Sequence, residues 1–75
     1  MSALEQAFVA EKAWISACND PQDVLDRMAG YGESMRLAVQ HGNALGRMRV
    51  NDLLEIAEDR VVELKRGRFA AERRA

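Results

Sequence analysis

Little in this 75-residue chain cross-links or punctuates it. A single cysteine, Cys18, excludes an internal disulfide. A single histidine, His41, leaves the chain far from the clustered Cys and His ligands of a zinc site. Aromatic residues are 5 % of the total. No apolar run approaches the roughly 18 residues of a membrane span. No secretory-leader pattern is present, so a soluble, cytoplasmic protein of a reducing compartment is expected. Neither sign of charge dominates: 11 Lys and Arg face 12 Asp and Glu, a net charge of −1. That balance excludes a polybasic protein that coats nucleic acid or an anionic membrane over its whole surface. No segment alternates apolar and polar residues long enough to make a strand.

What is present is helical texture. Apolar residues are 48 % and charged residues 31 %, an ordinary globular mix. Residues 3–17 are rich in Ala, Leu, Glu, Gln and Lys, good helix formers, and predict a first helix. Its wheel gathers Leu4, Phe8 and Ile15, flanked by Ala7, Trp14 and Cys18. Ala10, Ala13 and Ala17 make the opposite side apolar too, which predicts packing on more than one side. Asp20 before Pro21, the only proline, reads as an N-cap followed by Pro at the first helical position. The second helix is expected over 21–41, with Val24, Met28, Tyr31, Met35 and Ala38 at alternating spacings of four and three. Leu25, Gly32 and Val39 widen that stripe, and Gly30 and Gly32 mark a kink, a break or a close helix crossing. Gly42 suits a helix C′ position, and Asn43 suits the next N-cap. The third helix is expected over 44–66, with Val50, Leu54, Ala57, Val61 and Leu64 facing the second helix and Gly67 ending it. Residues 68–75 then form a basic C-terminal tail.

The expected fold is all-α: one small domain over 1–67, either a three-helix bundle or a helical hairpin assembled into a dimer. A chain this short buries a modest share of its surface, which favours self-association or docking on a partner.

Catalysis finds little footing. Cys18 and His41 close successive helices and fall at opposite ends of an antiparallel pair, so no Cys–His nucleophile forms. Asp20, Asp23 and Asp26, and the run Glu55, Glu58, Asp59 and Glu63, read as a cap and solvated faces rather than metal ligands. No cofactor, metal or catalytic residue is expected, and the protein is expected not to be an enzyme.

Binding is therefore the expected function: a small helical adaptor, inhibitor or assembly subunit that recognises a protein partner through an apolar helix surface. Phe8, Glu11, Trp14, Ile15, Leu37 and Val62 are the candidate interface residues. Leu37 and Val62 lie off their helices' main stripes, and Glu11 lies inside the apolar arc of the first helix. Glu11 has three options: reaching solvent, pairing with Arg36, Arg47 or Arg60, or meeting a partner's cation. Met28, Met35 and Met48 form either core filling or an adaptable groove.

A DNA-binding regulator is the alternative. Ala38, Gly42 and Met48 carry helix-turn-helix spacing across residues 37–51. Arg47 and Arg49, then Lys65, Arg66 and Arg68 in the basic end, are the candidate nucleic-acid contacts. Polar Asn43 and Asn51 and the helix-weakening Gly46 speak against it. A structural role in a virion or secretion assembly is a third alternative.

Overall fold

The computed structural model describes residues 2–74, with side chains to residue 67. Among them there are three α-helices and no strands: α1 (Ala3–Ala17), α2 (Pro21–Gln40) and α3 (Ala44–Arg74). No helix among the described residues is long and apolar enough to cross a membrane.

Each helix boundary has a local cause. Ser2 opens α1, its hydroxyl accepting from the Glu5 N–H at 3.1 Å. The Asp20 carboxylate accepts from the Gln22 N–H at 2.9 Å, and Pro21 occupies the first turn of α2, where no N–H is missed. The helix runs unbroken through Gly30 and Gly32 to Gln40, and His41, expected as its last residue, caps it instead. Gly42 then adopts a φ of +66°, a conformation that glycine enters without steric cost. Its N–H bonds to the Val39 carbonyl and the Asn43 N–H to the Ala38 carbonyl, the paired closing bonds of a Schellman end. Asn43 caps α3 by accepting from the Gly46 N–H at 2.9 Å. A Cβ at Gly46 would stand 2.8 Å from Asn43 Nδ2, so any other residue there would push against the cap.

The third helix departs from expectation. It does not stop at residue 66 but continues through Gly67 to Arg74, so the segment 68–75 expected as a tail is helical as far as Arg74. One glycine costs about 1 kcal/mol in a helix interior and does not end it unless the chain also turns left-handed there. Gly42 is the described glycine with a positive φ. At 31 residues α3 is about 46 Å long, against about 30 Å for α2. The radius of gyration, 14.3 Å, correspondingly exceeds the roughly 11 Å of a compact chain of this length.

The helices run up, down and up. α2 and α3 form a hairpin about Gly42, and their backbones make the closest helix–helix approach. α1 packs on α3 in parallel, with Glu5 beside Arg49 and Cys18 beside Arg60. α1 and α2 lie further apart and are joined by long side chains. The core is Ile15, Val24, Tyr31, Leu53, Ala57 and Val61, with Phe8, Trp14, Met28, Val50, Leu54 and Leu64 packed around it. Leu53 is thus more buried than Leu54, because α3 is covered by α2 on one flank and α1 on the other. The buried centre moves to the line between them.

Candidate functional site

Two flanks of the molecule differ in how completely they are finished. On the first, α1 is fastened by a repeated device. Glu5 and Glu11 each precede an aromatic by three residues, Phe8 and Trp14, so carboxylate and ring share one side of the helix. Each pair receives one arginine. Arg49 of α3 donates from Nε to Glu5 Oε1 at 2.8 Å and lies 5.1 Å from the Phe8 ring centroid. Arg27 of α2 donates to both Glu11 oxygens, at 2.9 and 2.7 Å, and lies 4.1 Å from the Trp14 ring centroid. Planar guanidinium groups suit this double duty, because one plane forks onto a carboxylate while its face covers a ring.

Tyr31 completes the second fastening by donating its hydroxyl to Glu11 Oε2 at 2.6 Å. The Arg27 hydrogen bond holds the Glu11 carboxyl below its ordinary range, with partial desolvation opposing and Tyr31 assisting. Burial, then the Glu11 contact, pushes the Tyr31 phenol up to about 12. Arg27 is held more firmly protonated than a free guanidinium, chiefly by the Glu11 hydrogen bond.

The expected partners of Glu11 are therefore corrected. Arg36 pairs with Glu33, and Arg60 with Glu63 and the Cys18 carbonyl, while Arg27 takes Glu11. Glu11 and Arg27 are equidistant from Asn19, the mirror positions of an antiparallel α1–α2 pair. That symmetry, and the repeated Glu-x-x-aromatic spacing, were the available signals.

Arg60 serves another purpose. It donates from Nε and Nη2 to the Cys18 carbonyl at 3.2 and 2.8 Å. The last turn of α1 has no basic residue of its own, so a cation from α3 satisfies the orphan carbonyl and the negative end of the helix. The Cys18 thiol donates weakly to the Asp20 carbonyl at 3.4 Å. His41 is exposed at the far end of α2, about 30 Å of helix away. No group of three or more potential ligands that could hold a metal occurs among the described residues.

This fastening changes the candidate interface. Ile15 is wholly buried and Phe8 and Trp14 pack against the core, so these three serve the chain's own fold. The second apolar side of α1 is small rather than buried: Ala10, Ala13 and Ala17 are exposed. Leu37 and Val62 are exposed as expected, Leu37 beside Leu4 and His41. Among the candidate nucleic-acid contacts, Arg49 is committed to Glu5 and Phe8, whereas Arg47, Lys65 and Arg66 are exposed. The Arg68 side chain lies outside the described residues.

The second flank, on the side of the hairpin away from α1, is unfinished. Leu25, Met28, Gly32, Met35 and Val39 run along α2 at spacings of three and four. Met28 and Met35 are half-buried, while Val39 is 54 % exposed. Across from them α3 presents Met48, 61 % exposed, and Val62, 48 % exposed. Met35, Ala44, Arg47, Met48 and Asn51 line an open hollow between the two helices. Of the two expectations for the methionines, core filling does not describe Met48. Comparisons with protein-family models, curated proteins and solved structures find no match to this chain.

Proposed function

We propose that the chain is a non-enzymatic protein-interaction module, an adaptor, inhibitor or assembly subunit, that binds through the open α2–α3 face. The observation that carries this reading is the exposure of Val39, Met48 and Val62 on a face where α2 also turns out Leu25. Single exposed apolar residues are ordinary on any protein, but a run of them along the side of a hairpin that α1 does not cover marks a surface meant to be covered. Methionine adds adaptability, because its unbranched thioether fits differently shaped partners.

The test compares immobilised wild-type protein with Val39→Asp and Met48→Asp in extracts of the source cells. Both side chains are exposed, so both variants are expected to fold. A protein retained by the wild type and by a Lys12→Asp control, and lost from both face variants, supports the reading. Equal retention by all four overturns it.

A further inference from the structure

We infer that the occupant of the open face is a second copy of this chain, its α2 antiparallel to the first and crossing at Gly32. This rests on the interaction reading above and names its partner. Three observations converge on it.

The first is symmetry. Leu25 and Val39 stand seven residues on either side of Gly32, and Met28 and Met35 four and three, so reversing the helix reproduces the stripe to within one residue. In a two-fold pair Leu25 meets the partner's Val39, the two Gly32 residues meet each other, and Met28 lies within one residue of the partner's Met35. Self-complementarity of this kind is what a two-fold interface demands.

The second is Gly32 itself. It lies in the interior of an unbroken helix, where glycine is less favourable than alanine. Nothing within the chain requires it: a Cβ there would meet no atom within 4 Å, and its φ is not positive. Close approach of a second helix gives that open space a use.

The third is charge. Counting equal rises along two antiparallel helices from Gly42, Gly32 comes level with Asp52. Arg47 and Glu58 stand five and six residues on either side of that level. Both are exposed, and among the described residues neither has an ion-pair partner. Within one chain they stand three turns apart. The same two-fold axis that superposes Gly32 on its counterpart brings Arg47 of each copy beside Glu58 of the other, so two opposite-charge pairs flank the apolar centre.

Sedimentation equilibrium and cross-linking test this together. The wild type is expected to be a dimer that dissociates on dilution. Arg47→Glu and Glu58→Arg each strike both symmetric pairs and weaken association about tenfold, and the double swap restores it. In a Cys18→Ser background, Gly32→Cys forms a disulfide dimer on mild oxidation, since a disulfide needs Cα atoms within about 7 Å. Lys12→Cys does not. A monomer at every concentration overturns the inference, as does a dimer that ignores the charge swaps and leaves the Gly32→Cys variant unlinked. A monomer whose foreign partner is still lost with Met48→Asp overturns self-association alone and leaves the interaction reading standing. Indifference in both experiments removes both.

Discussion

The flank that α1 covers and the flank it leaves bare are built from the same kinds of residue and differ in completion. On the covered side Arg27, Arg49 and Arg60 each meet a carboxylate or a helix-end carbonyl, and two of them also lie against rings. On the bare side Arg47 and Glu58 face solvent, and the exposed side chains of Leu25, Val39, Met48 and Val62 have no cover. Arg47 and Arg49, two residues apart on one helix, fall on opposite sides of this divide. Neither composition nor spacing distinguishes them. The position of α1 does.

The largest contrast is in packing. Ile15→Ala and Val24→Ala empty sites with no exposure and are expected to cost about 2–5 kcal/mol in chemical denaturation. Val39→Ala and Val62→Ala on the bare flank are expected to stay within about 0.5 kcal/mol at dilute concentration. Equal losses would show that the two flanks are equally packed.

A smaller contrast separates the arginines. Arg49→Ala removes a half-buried ion pair and a ring contact and is expected to cost about 1–2 kcal/mol. Arg47→Ala in the dilute monomer is expected to change stability by less than about 0.5 kcal/mol. Reversal of that order would place the clasp on the wrong flank.

The Glu11–Arg27–Tyr31 cluster makes the covered side sensitive to pH at both extremes. Glu11 has a lowered folded-state pKa, so its contribution is complete above the ordinary value of 4.5 and is lost as pH falls through the lowered one. Tyr31 has a raised pKa, so its contribution is complete below the ordinary value of 10.0 and fades between there and about 12. Tyr31 is the only tyrosine, so tyrosinate absorbance reads its titration directly. In Glu11→Gln the Tyr31 midpoint is expected to move down, because the acceptor charge that opposes phenol ionisation is gone. A midpoint unmoved by the substitution would show that the cluster does not act as a unit.

The smallest effect concerns glycine. Gly30→Ala meets no atom within 4 Å and is expected to stabilise by up to about 1 kcal/mol. Gly46→Ala is expected to give no such gain, because the new methyl collides with the Asn43 cap. Thermal melts of the pair decide the comparison.

Local signals wrote most of the fold into the sequence. Asp20-Pro21, Gly42 and Asn43 set helix boundaries within about a residue, because capping depends on side chains next to the boundary. The end of α3 was not legible in this way, since Gly67 signals a stop only where the backbone turns. Tertiary geometry was harder still. The wheel of α1 displayed Phe8, Trp14 and Ile15 as one apolar arc without saying whether the arc faced inward or toward a partner. Periodicity records that a face is buried, not by whom. The same ambiguity hid Arg27 as the partner of Glu11 and left the bare face of α2 looking like the edge of a core stripe.

The arginine that closes α1 from outside carries a consequence for the order of assembly. The hairpin of α2 and α3 joins segments adjacent in sequence through a three-residue turn, whereas α1 reaches its α3 contacts across more than forty residues. The carbonyl end of α1 has no cation until α3 is already helical at Arg60. The hairpin is therefore expected to form first, with α1 docking afterwards as a separate cooperative unit that detaches first on unfolding. Native-state hydrogen exchange should find α1 amides opening at lower free energy than those of Val24 and Ala57. The fluorescence of Trp14, the only tryptophan, should report that opening before helicity is lost.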